Sequence, residues 1–424
     1  MQPLRFAHMA DLHLDTPFRG VANLPGTLRE SLAEASLKAW DNAVAICLTE
    51  QVDFVLIAGD VYDQEEAGVR AQLRFLRGLR RLSEAGIPVF VVHGNHDPQG
   101  GRWSAIRAWP PGVTVFGHEE VEVVPVRRGG TTLALVHGLS YPERHVRENL
   151  AVRFRRRQEE VYQIGLLHAS VGDHAEHGRY APCSLEDLRR SGLDYWALGH
   201  IHTRETVHPA HPAVVYPGNL QARHPGEEGP RGLYIVEAAL GSPPRLTFHA
   251  ADEWRFATVR LDLGREPLTS VEEVSAYLLR QAIAAKGDRG LIVRGIVAGA
   301  TALHADLNRR GRREELLQQL RDECEGVPGL FWDDLVVSTR PSFDRTERTK
   351  AGDFLADLLR FGEARGAWAA AEVRSLLDEL GRVGDLAPLL GRIRWQAIER
   401  MSDELWEEAL QLALDVLEEA GEAS

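Results

Sequence analysis

The sequence is poor in cysteine and contains no long apolar run. Its three cysteines, Cys47, Cys183 and Cys324, are far apart and form no CxxC pair. This spacing argues against a disulfide framework or a structural zinc site and fits a reducing compartment. No stretch approaches the roughly 18 apolar residues that span a bilayer, and no apolar signal region begins the chain. These absences predict a cytoplasmic protein without a membrane-embedded part.

The chain also lacks the net positive charge that is typical of nucleic-acid-binding proteins, because 62 acidic residues outnumber 49 basic ones. Much of this acidity is C-terminal, since residues 345–424 carry a balance of −7 out of the total of −13. By contrast, residues 144–157 contain six arginines and one glutamate. This arginine run is either a solvated surface or a patch that contacts phosphate groups.

Residues 1–250 alternate short apolar segments with segments of helical periodicity, which predicts an α/β domain. Helices are predicted at 31–51 and 69–85. Buried strands are predicted at 4–9, 54–58, 88–92, 164–167 and 195–198. Two further β-type segments at 121–141 flank Gly129 and Gly130, which predicts a hairpin in a second, more antiparallel sheet.

Two further parts are predicted after this domain. Residues 251–340 alternate strands and helices and are expected to form a small α/β domain. The polar segment 338–350 contains a proline and is predicted to be a linker. Residues 341–424 have helical periodicity, which fits either a bundle with its own core or an amphipathic surface that awaits a partner helix.

Polar residues follow five of the predicted strands at their carboxyl ends. In an open α/β sheet these ends converge on one crevice, so residues that are distant in sequence can line one site. The residues in question are Asp11, His13, Asp60, Asp63, Asn95, His96, His168, His200 and His202.

The residue types in this set indicate a site for two divalent ions. Carboxylates, an amide and imidazoles without a thiolate suit manganese, iron or zinc better than calcium or magnesium alone. Seven side chains are too many for one ion with open positions, but they suit two ions that share a carboxylate. Such a pair stabilises in-line displacement at phosphorus, which predicts hydrolysis of phosphate esters. The predicted ligands are Asp11, His13, Asp60, Asn95, His168, His200 and His202.

The motifs DxH, GDxxD, GNHD and GHxH, in this order, resemble those of the calcineurin-like metallophosphoesterase superfamily. The resemblance implies a four-layer sandwich of two mixed β-sheets flanked by helices. It also implies that His96 is the catalytic histidine, contacting the substrate phosphate or protonating the leaving oxygen. Finally, it implies two ligand sets bridged by Asp60: Asp11, His13 and His202 for the first ion, and Asn95, His168 and His200 for the second.

Within the superfamily, the sequence resembles bacterial DNA repair exonucleases of the SbcD type, and among them the YhaO group. The stretches that carry this resemblance include HGLSY at 137–141, IGLLHAS at 164–170 and YPGNLQARHPGEEGPRG at 216–232. The resemblance implies a DNA nuclease whose nuclease domain (1–250) is followed by a capping domain (251–340) and a candidate partner-binding region (341–424). It further implies manganese ahead of iron or zinc, an SMC-like ATPase partner of the SbcC kind, and a homodimer.

Three residues near the predicted ligands are candidate supports or phosphate contacts. Some members of the family have a histidine three residues after the bridging aspartate, where this chain has Asp63. This difference leaves the balance between exonuclease and endonuclease activity open. Arg223 and His224 lie in a loop that follows the metal motifs, and they are predicted to support the site or to contact phosphate.

Two other functions fit the same residues. A small-substrate phosphodiesterase or phosphatase would use the same ions, although the long extension beyond residue 250 argues against it. A non-catalytic subunit of an ATPase complex is the third hypothesis, and the complete ligand set argues against that one.

Overall fold

The computed structural model describes residues 4–21, 24–63, 68–99, 105–172, 180–266 and 268–342. The predicted tail helices, and the predicted linker from residue 343 onward, lie outside the described residues. Two compact units divide the chain. The first unit comprises Met1–Thr258, Ala282–Arg294 and Gly326–Asp333, and the second comprises Val259–Gln281, Gly295–Glu325 and Asp334–Ser424. Every predicted metal ligand belongs to the first unit.

The described part of the chain forms the following strands and helices. The strands are β1 (Leu4–Met9), β2 (Phe54–Ala58), β3 (Val89–Val92), β4 (Val113–Val115), β5 (Glu122–Arg128), β6 (Thr131–Leu139), β7 (Tyr162–His168), β8 (Tyr195–Gly199), β9 (Glu205–His208), β10 (Ala213–Tyr216), β11 (Gly232–Ala238), β12 (Arg245–Ala250), β13 (Trp254–Asp262), β14 (Gly290–Thr301) and β15 (Leu330–Pro341). The helices are α1 (Gly26–Thr49), α2 (Val69–Glu84), α3 (Leu185–Arg190), α4 (Val271–Lys286), α5 (His304–Asn308) and α6 (Arg312–Cys324), with a 3₁₀ turn at Leu150–Arg153.

Two six-stranded mixed sheets form the first unit. The first sheet has the order β12-β11-β1-β2-β3-β4. Strands β1 to β4 pair in parallel, whereas β11 pairs antiparallel with both β1 and β12. The second has the order β5-β6-β7-β8-β10-β9, with β6, β7, β8 and β10 parallel and the two edge strands antiparallel. Because both sheets contain three parallel and two antiparallel pairings, the prediction of a more antiparallel second sheet is wrong, whereas the hairpin β5–β6 is confirmed.

The alternation of side chains along each strand separates the core into layers. In β2, Phe54 and Leu56 face a cluster shared with the second sheet, whereas Val55 and Ile57 face the side covered by α1 and α2. On that side Trp40 of α1 packs against α2. A third cluster covers the outer face of the second sheet with α3 and the 3₁₀ turn. The predicted arrangement of two mixed sheets with flanking helices is confirmed.

A third sheet, with the order β13-β14-β15, lies after the two large sheets in sequence. Its last strand extends to Pro341, so the segment predicted as a linker from residue 338 begins as strand. No described helix has the length and apolar character needed to cross a membrane.

Candidate metal centre

The predicted ligands lie at the carboxyl ends of adjacent strands in two facing sheets. Asp11 follows β1, Asp60 follows β2, and Asn95 comes three residues after the end of β3. In the facing sheet His168 ends β7 and pairs in register with Gly199, so that His200 begins the loop directly beside it. All seven predicted ligands come from these strand ends, and their residues are buried or half-buried.

The backbone at this edge is strained where the predicted ligands are placed. Asp11, His13, Asp60 and His200 have φ values of 51°, 42°, 50° and 103°, a region that residues other than glycine seldom occupy. Only seven such residues occur in the described part of the chain, and four of them are predicted ligands. Strain of this kind persists where the surroundings enforce it and clusters at functional sites.

The first ligand set of the prediction is brought together. Asp11, His13 and His202 offer ligand atoms that all lie within 4.8 Å of one another. The Nε2 atoms of His13 and His202 face each other at 3.1 Å. The carboxylate of Asp11 accepts hydrogen bonds from the backbone N–H of His200, at 3.1 Å to each oxygen.

Two members of the second set, Asn95 and His168, are brought together beside Asp60. Asp11, Asp60 and His168 form another group within 4.8 Å. His168 Nε2 lies 3.0 Å from Asn95 Oδ1 and 3.5 Å from Asp60 Oδ2. The His200 ring lies 5.4 Å from the His168 ring, measured between centroids, and it belongs to none of the metal-type groups found in the described residues.

The hydrogen bonds of His168 indicate that a cation would stabilise the arrangement of His168, Asn95 and Asp60. His168 Nδ1 donates to the backbone oxygen of Ala58 at 2.9 Å, so in the neutral ring Nε2 carries a lone pair. That lone pair faces the oxygen atoms of Asn95 and Asp60, which are also acceptors once the Asp60 carboxyl is ionised. A divalent ion among these atoms would turn the repulsion into coordination, and the nitrogen and oxygen donors fit such an ion.

In the first set, the ring nitrogens of His13 and His202 also lie close enough together to share one ion. His202 Nδ1 donates to Glu227 Oε1 at 2.6 Å, which leaves a lone pair on Nε2 that points at the Nε2 atom of His13. A proton on His13 Nε2 would leave a lone pair on its Nδ1 atom, 3.2 Å from Asp63 Oδ1 and outside hydrogen-bond geometry. In the metal-free protein His13 Nε2 can donate to His202 Nε2, and both atoms must be unprotonated to bind a metal ion.

Two of the motif glycines make room for ligands. A Cβ atom at Gly59 would lie 2.6 Å from His168 Nδ1, and one at Gly94 would lie 2.3 Å from Asp60 Oδ1. Gly59 also has a φ of 90°. In this structure the glycines are thus required by the ligand side chains, a reason that the sequence pattern does not reveal.

Asp63 connects the predicted catalytic histidine to the loop at 221–224. His96 Nδ1 lies 3.0 Å from the backbone oxygen of Asp63, and the Asp63 carboxylate accepts a 2.7 Å hydrogen bond from Arg223 Nη1. Arg223 is half-buried and committed to this ion pair, whereas the His224 side chain is 48% exposed. Of the two loop residues, His224 is the more accessible to a substrate.

Two buried carboxylates of the site, Asp97 and Glu227, were not predicted from the sequence. Asp97, the last residue of GNHD, accepts hydrogen bonds from the backbone N–H groups of Gly94 and Val61, both at 2.8 Å, and so ties together two ligand-bearing loops. Burial acts to raise the pKa of Asp97, but His93 and these two hydrogen bonds hold it below its usual range. The motif itself was the signal available for this residue.

Glu227 is the second of these carboxylates. Its oxygens accept from His202 Nδ1 at 2.6 Å, Arg223 N at 2.6 Å and Asn219 Nδ2 at 3.0 Å. Although burial acts to raise its pKa, His202 and the Arg223 N–H lower it far below the usual range. Glu227 lies within the stretch GEEG, where the sequence alone does not distinguish it from the exposed Glu228.

Burial sets the protonation of the ligands in the metal-free protein. It raises the pKa of Asp60 to about 7 and raises the pKa of Asp11, which also faces the Asp60 charge. It lowers the pKa of His168 to about 4 and also lowers that of His13. The His13 and His168 imidazoles are therefore neutral at pH 7, while the Asp11 and Asp60 carboxyls retain protons that an ion must displace.

This difference predicts that metal affinity rises with pH. Below pH 7, where Asp60 is protonated, affinity for Mn²⁺ should rise by at least about tenfold per pH unit, because binding releases one proton or more. Titrations of the metal-free protein between pH 5.5 and 8.5, in buffers of different ionisation enthalpy, measure both the affinity and the protons released. An affinity that is constant over this range would show that no ligand carboxyl loses a proton on binding.

Comparison with known proteins agrees with this geometry. Residues 4–204 match the family model described as calcineurin-like phosphoesterase, and residues 256–340 match the model described as the middle domain of metallophosphoesterase YhaO. The chain therefore contains a calcineurin-like metallophosphoesterase domain, which confirms the family predicted from its motifs. Divalent metal ions are the cofactors of this family.

Among individual proteins, the chain is similar to the uncharacterized metallophosphoesterase YhaO of Bacillus subtilis (strain 168), with 41% identity over 56% of this chain and 58% of that protein. It is 30% identical to the DNA double-strand break repair protein Mre11 of Haloferax volcanii over 47% of this chain and 44% of that protein. It is 26% identical to the SbcD component of the SbcCD nuclease of Bacillus subtilis over 56% of this chain and 67% of that protein.

The matched region spans about half the length of the first two of these relatives. Among solved structures, GAP50, the anchor in the inner membrane complex of Plasmodium, is similar with a TM-score of 0.34 and 13% identity over 59% of this chain and 85% of that chain. A likeness this low does not bear on function.

Proposed function

We propose that this protein is a two-metal-dependent DNA nuclease that acts with an SMC-like ATPase subunit. The observation that carries the metal-dependent part is that two groups of oxygen and nitrogen ligand atoms converge on Asp60, whose carboxylate lies 3.8 Å from His13 Nε2 and 3.5 Å from His168 Nε2. Asp11, His13 and His202 would hold one ion, Asn95, His168 and His200 the other, and Asp60 would bridge them. When bound, such ions supply an activated water and stabilise negative charge on the phosphate oxygens.

His96 would act on the substrate, and its contacts with Asp60 and Asp63 would hold it in place. The His96 backbone N–H donates to Asp60 Oδ1 at 2.9 Å, which fixes the bridging carboxylate and the loop that carries the imidazole. The His96 side chain is 27% exposed, in contrast to the buried His13 and His168 rings, so that a substrate can reach it. With Nδ1 held at the Asp63 backbone oxygen, Nε2 would contact a phosphate oxygen or move a proton to the leaving oxygen.

Part of the arginine run lies beside this site, which supports DNA as the substrate. The Tyr180 ring packs 5.4 Å from the His200 ring on one side and stacks 5.9 Å from the His145 ring on the other. Arg144 and Arg147 are exposed and lie one and two residues from His145 in the sequence. Cations in this position suit the sequence-independent binding of a phosphate backbone.

The rest of the run has a structural role. Arg156 donates to the Asp194 carboxylate at 2.8 Å and to the backbone oxygen of Gly192 at 3.0 Å. Arg153 contacts the backbone oxygen of Glu119, and Arg155 donates to that of Val152 at 2.6 Å. Only part of the run therefore remains for nucleic acid, which makes a contribution from the ATPase partner to DNA binding more important.

A nuclease assay tests the proposal. Purified full-length protein with Mn²⁺ should shorten or nick end-labelled duplex and hairpin DNA, and addition of the SMC-like ATPase with ATP should increase the rate. Chelation should abolish both activities. Protein that hydrolyses a small phosphodiester in Mn²⁺ but leaves every DNA substrate intact, even with the ATPase, would contradict the proposal and favour a small-substrate phosphodiesterase.

A further inference from the structure

The contacts of the two carboxylate oxygens of Glu227 indicate a role that neither its sequence context nor the family motifs assign. One carboxylate oxygen accepts the Nδ1–H group of His202, and the other accepts the backbone N–H of Arg223 and the amide of Asn219. The carboxylate is buried, and its contacts within 3.5 Å with His202, His224, Arg223 and Asn219 are all with donor groups. A buried carboxylate with this pattern of contacts is a fixed acceptor rather than a mobile acid.

We propose that Glu227 is a positioning residue for the first metal ion, which it serves by holding the His202 imidazole in the tautomer that presents Nε2 to that ion. The inference rests on the metal-binding part of the proposed function and does not depend on the substrate. Carboxylates that hold the distal nitrogen of a ligating histidine fix its ring and raise its basicity.

The two ion sets differ in how their histidines are supported. His168 is held by the backbone oxygen of Ala58, a support that no side-chain substitution removes. His202 is held by a side chain, and therefore its support can be removed while the histidine itself stays in place. The first ion should consequently respond to changes at Glu227, and the second should not.

The same carboxylate also fixes the loop that supports His96. By accepting the Arg223 N–H it holds the residue whose guanidinium donates to Asp63 Oδ1 at 2.7 Å. The backbone oxygen of Asp63 in turn lies 3.0 Å from His96 Nδ1. Glu227 thus joins the first ion's ligand to the support of the predicted catalytic histidine.

Replacement of Glu227 by glutamine keeps the shape but cannot satisfy all the donors. If the new NH₂ group faces His202, then Nδ1 must accept, the proton moves to Nε2, and the ring can no longer bind metal. If it faces the other way, it meets the N–H groups of Arg223 and Asn219, which are donors too. Either orientation weakens the first site.

The test is a Mn²⁺ titration of metal-free full-length protein by calorimetry. In Glu227→Gln, one of the two binding events should weaken about 10- to 100-fold, and the other should keep its wild-type affinity. The neighbouring exposed Glu228 is a matched control, and Glu228→Gln should bind both ions as the wild type does.

A double-mutant cycle separates positioning from a general structural effect. Because Glu227 acts through His202, adding Glu227→Gln to His202→Ala should cause no further loss of affinity at the first site. Wild-type affinity in Glu227→Gln, or a further loss in the double variant, would overturn the inference. Protein that binds two ions but cuts no DNA would contradict the nuclease proposal and leave this one intact.

One measurement does not use Glu227→Gln and therefore tests the inference even if that variant does not fold. In metal-free wild-type protein labelled with ¹⁵N-histidine, the His202 signal, identified by its absence in His202→Ala, should report a proton on Nδ1 and none on Nε2. A signal from the opposite tautomer would overturn the inference.

Discussion

Replacement of the predicted bridging carboxylate, Asp60→Asn, should abolish the proposed DNA cleavage and remove at least one of the two proposed ions. Asparagine keeps the size of the side chain and one oxygen, so the His96 N–H can still be satisfied. It cannot provide two negatively charged oxygens to two cations. Mutation of a residue that hydrogen-bonds a metal ligand lowers metal affinity or activity by about 10- to 100-fold. Mutation of a ligand that two ions share should lower metal affinity by more than this.

The measurement is the number of Mn²⁺ ions per chain after equilibrium dialysis, together with the rate of DNA cleavage. Asp288→Asn is a suitable control because its side chain is 84% exposed and lies in a different region of the chain. Stability provides a second control. Since burial of Asp60 disfavours its charged form, the metal-free Asp60→Asn protein should unfold at a temperature no lower than wild type at pH 8. An Asp60→Asn protein that retains two ions and full activity would contradict the bridging role.

Removal of the predicted catalytic histidine should have the opposite combination of effects. In His96→Ala, two Mn²⁺ ions should still bind, because His96 is not one of the seven predicted ligands, although His13, Asp63 and His96 form a third group of ligand atoms within 4.8 Å of one another. Cleavage should nevertheless fall by about 10²- to 10⁴-fold, the usual contribution of a positioned acid or base. The backbone N–H of residue 96 that holds Asp60 is retained, so the metal site should not collapse.

Single-turnover cleavage at saturating Mn²⁺ separates this effect from metal loss and from product release. His118→Ala is the matched control, since His118 is half-exposed and contacts Gln99 rather than any predicted ligand. Loss of an ion in His96→Ala would assign His96 to the metal site instead. Unchanged cleavage would remove it from the chemistry altogether.

Much of the site could be predicted from the sequence because strand ends carry its chemistry. Five buried strands are visible as short apolar runs, and polar motifs follow each of them, so that the proximity of Asp11 and Asp60 follows from α/β topology, whereas His168 joins them because a second sheet packs against the first. The hairpin β5–β6 was also predictable, because two glycines separate its strands. Local pattern and global fold agree at these positions.

Other features depend on partners that only the folded chain brings together. The direction of β6, β7 and β8 in the second sheet depends on long connections, whose course no periodicity reveals. Glu227 contacts His202, which lies 25 positions earlier in the sequence, and the geometry of the loop around residue 227 decides which of two adjacent glutamates is buried. Similarly, the ion pair of Arg223 with Asp63 joins residues 160 positions apart.

The two-ion centre itself can be tested most directly by anomalous diffraction from crystals soaked in Mn²⁺ at pH 8. We expect two anomalous peaks, both within coordination distance of the Asp60 carboxylate, one beside His13 and His202 and the other beside Asn95 and His168. A single peak, or two peaks that do not share Asp60, would contradict the proposed centre.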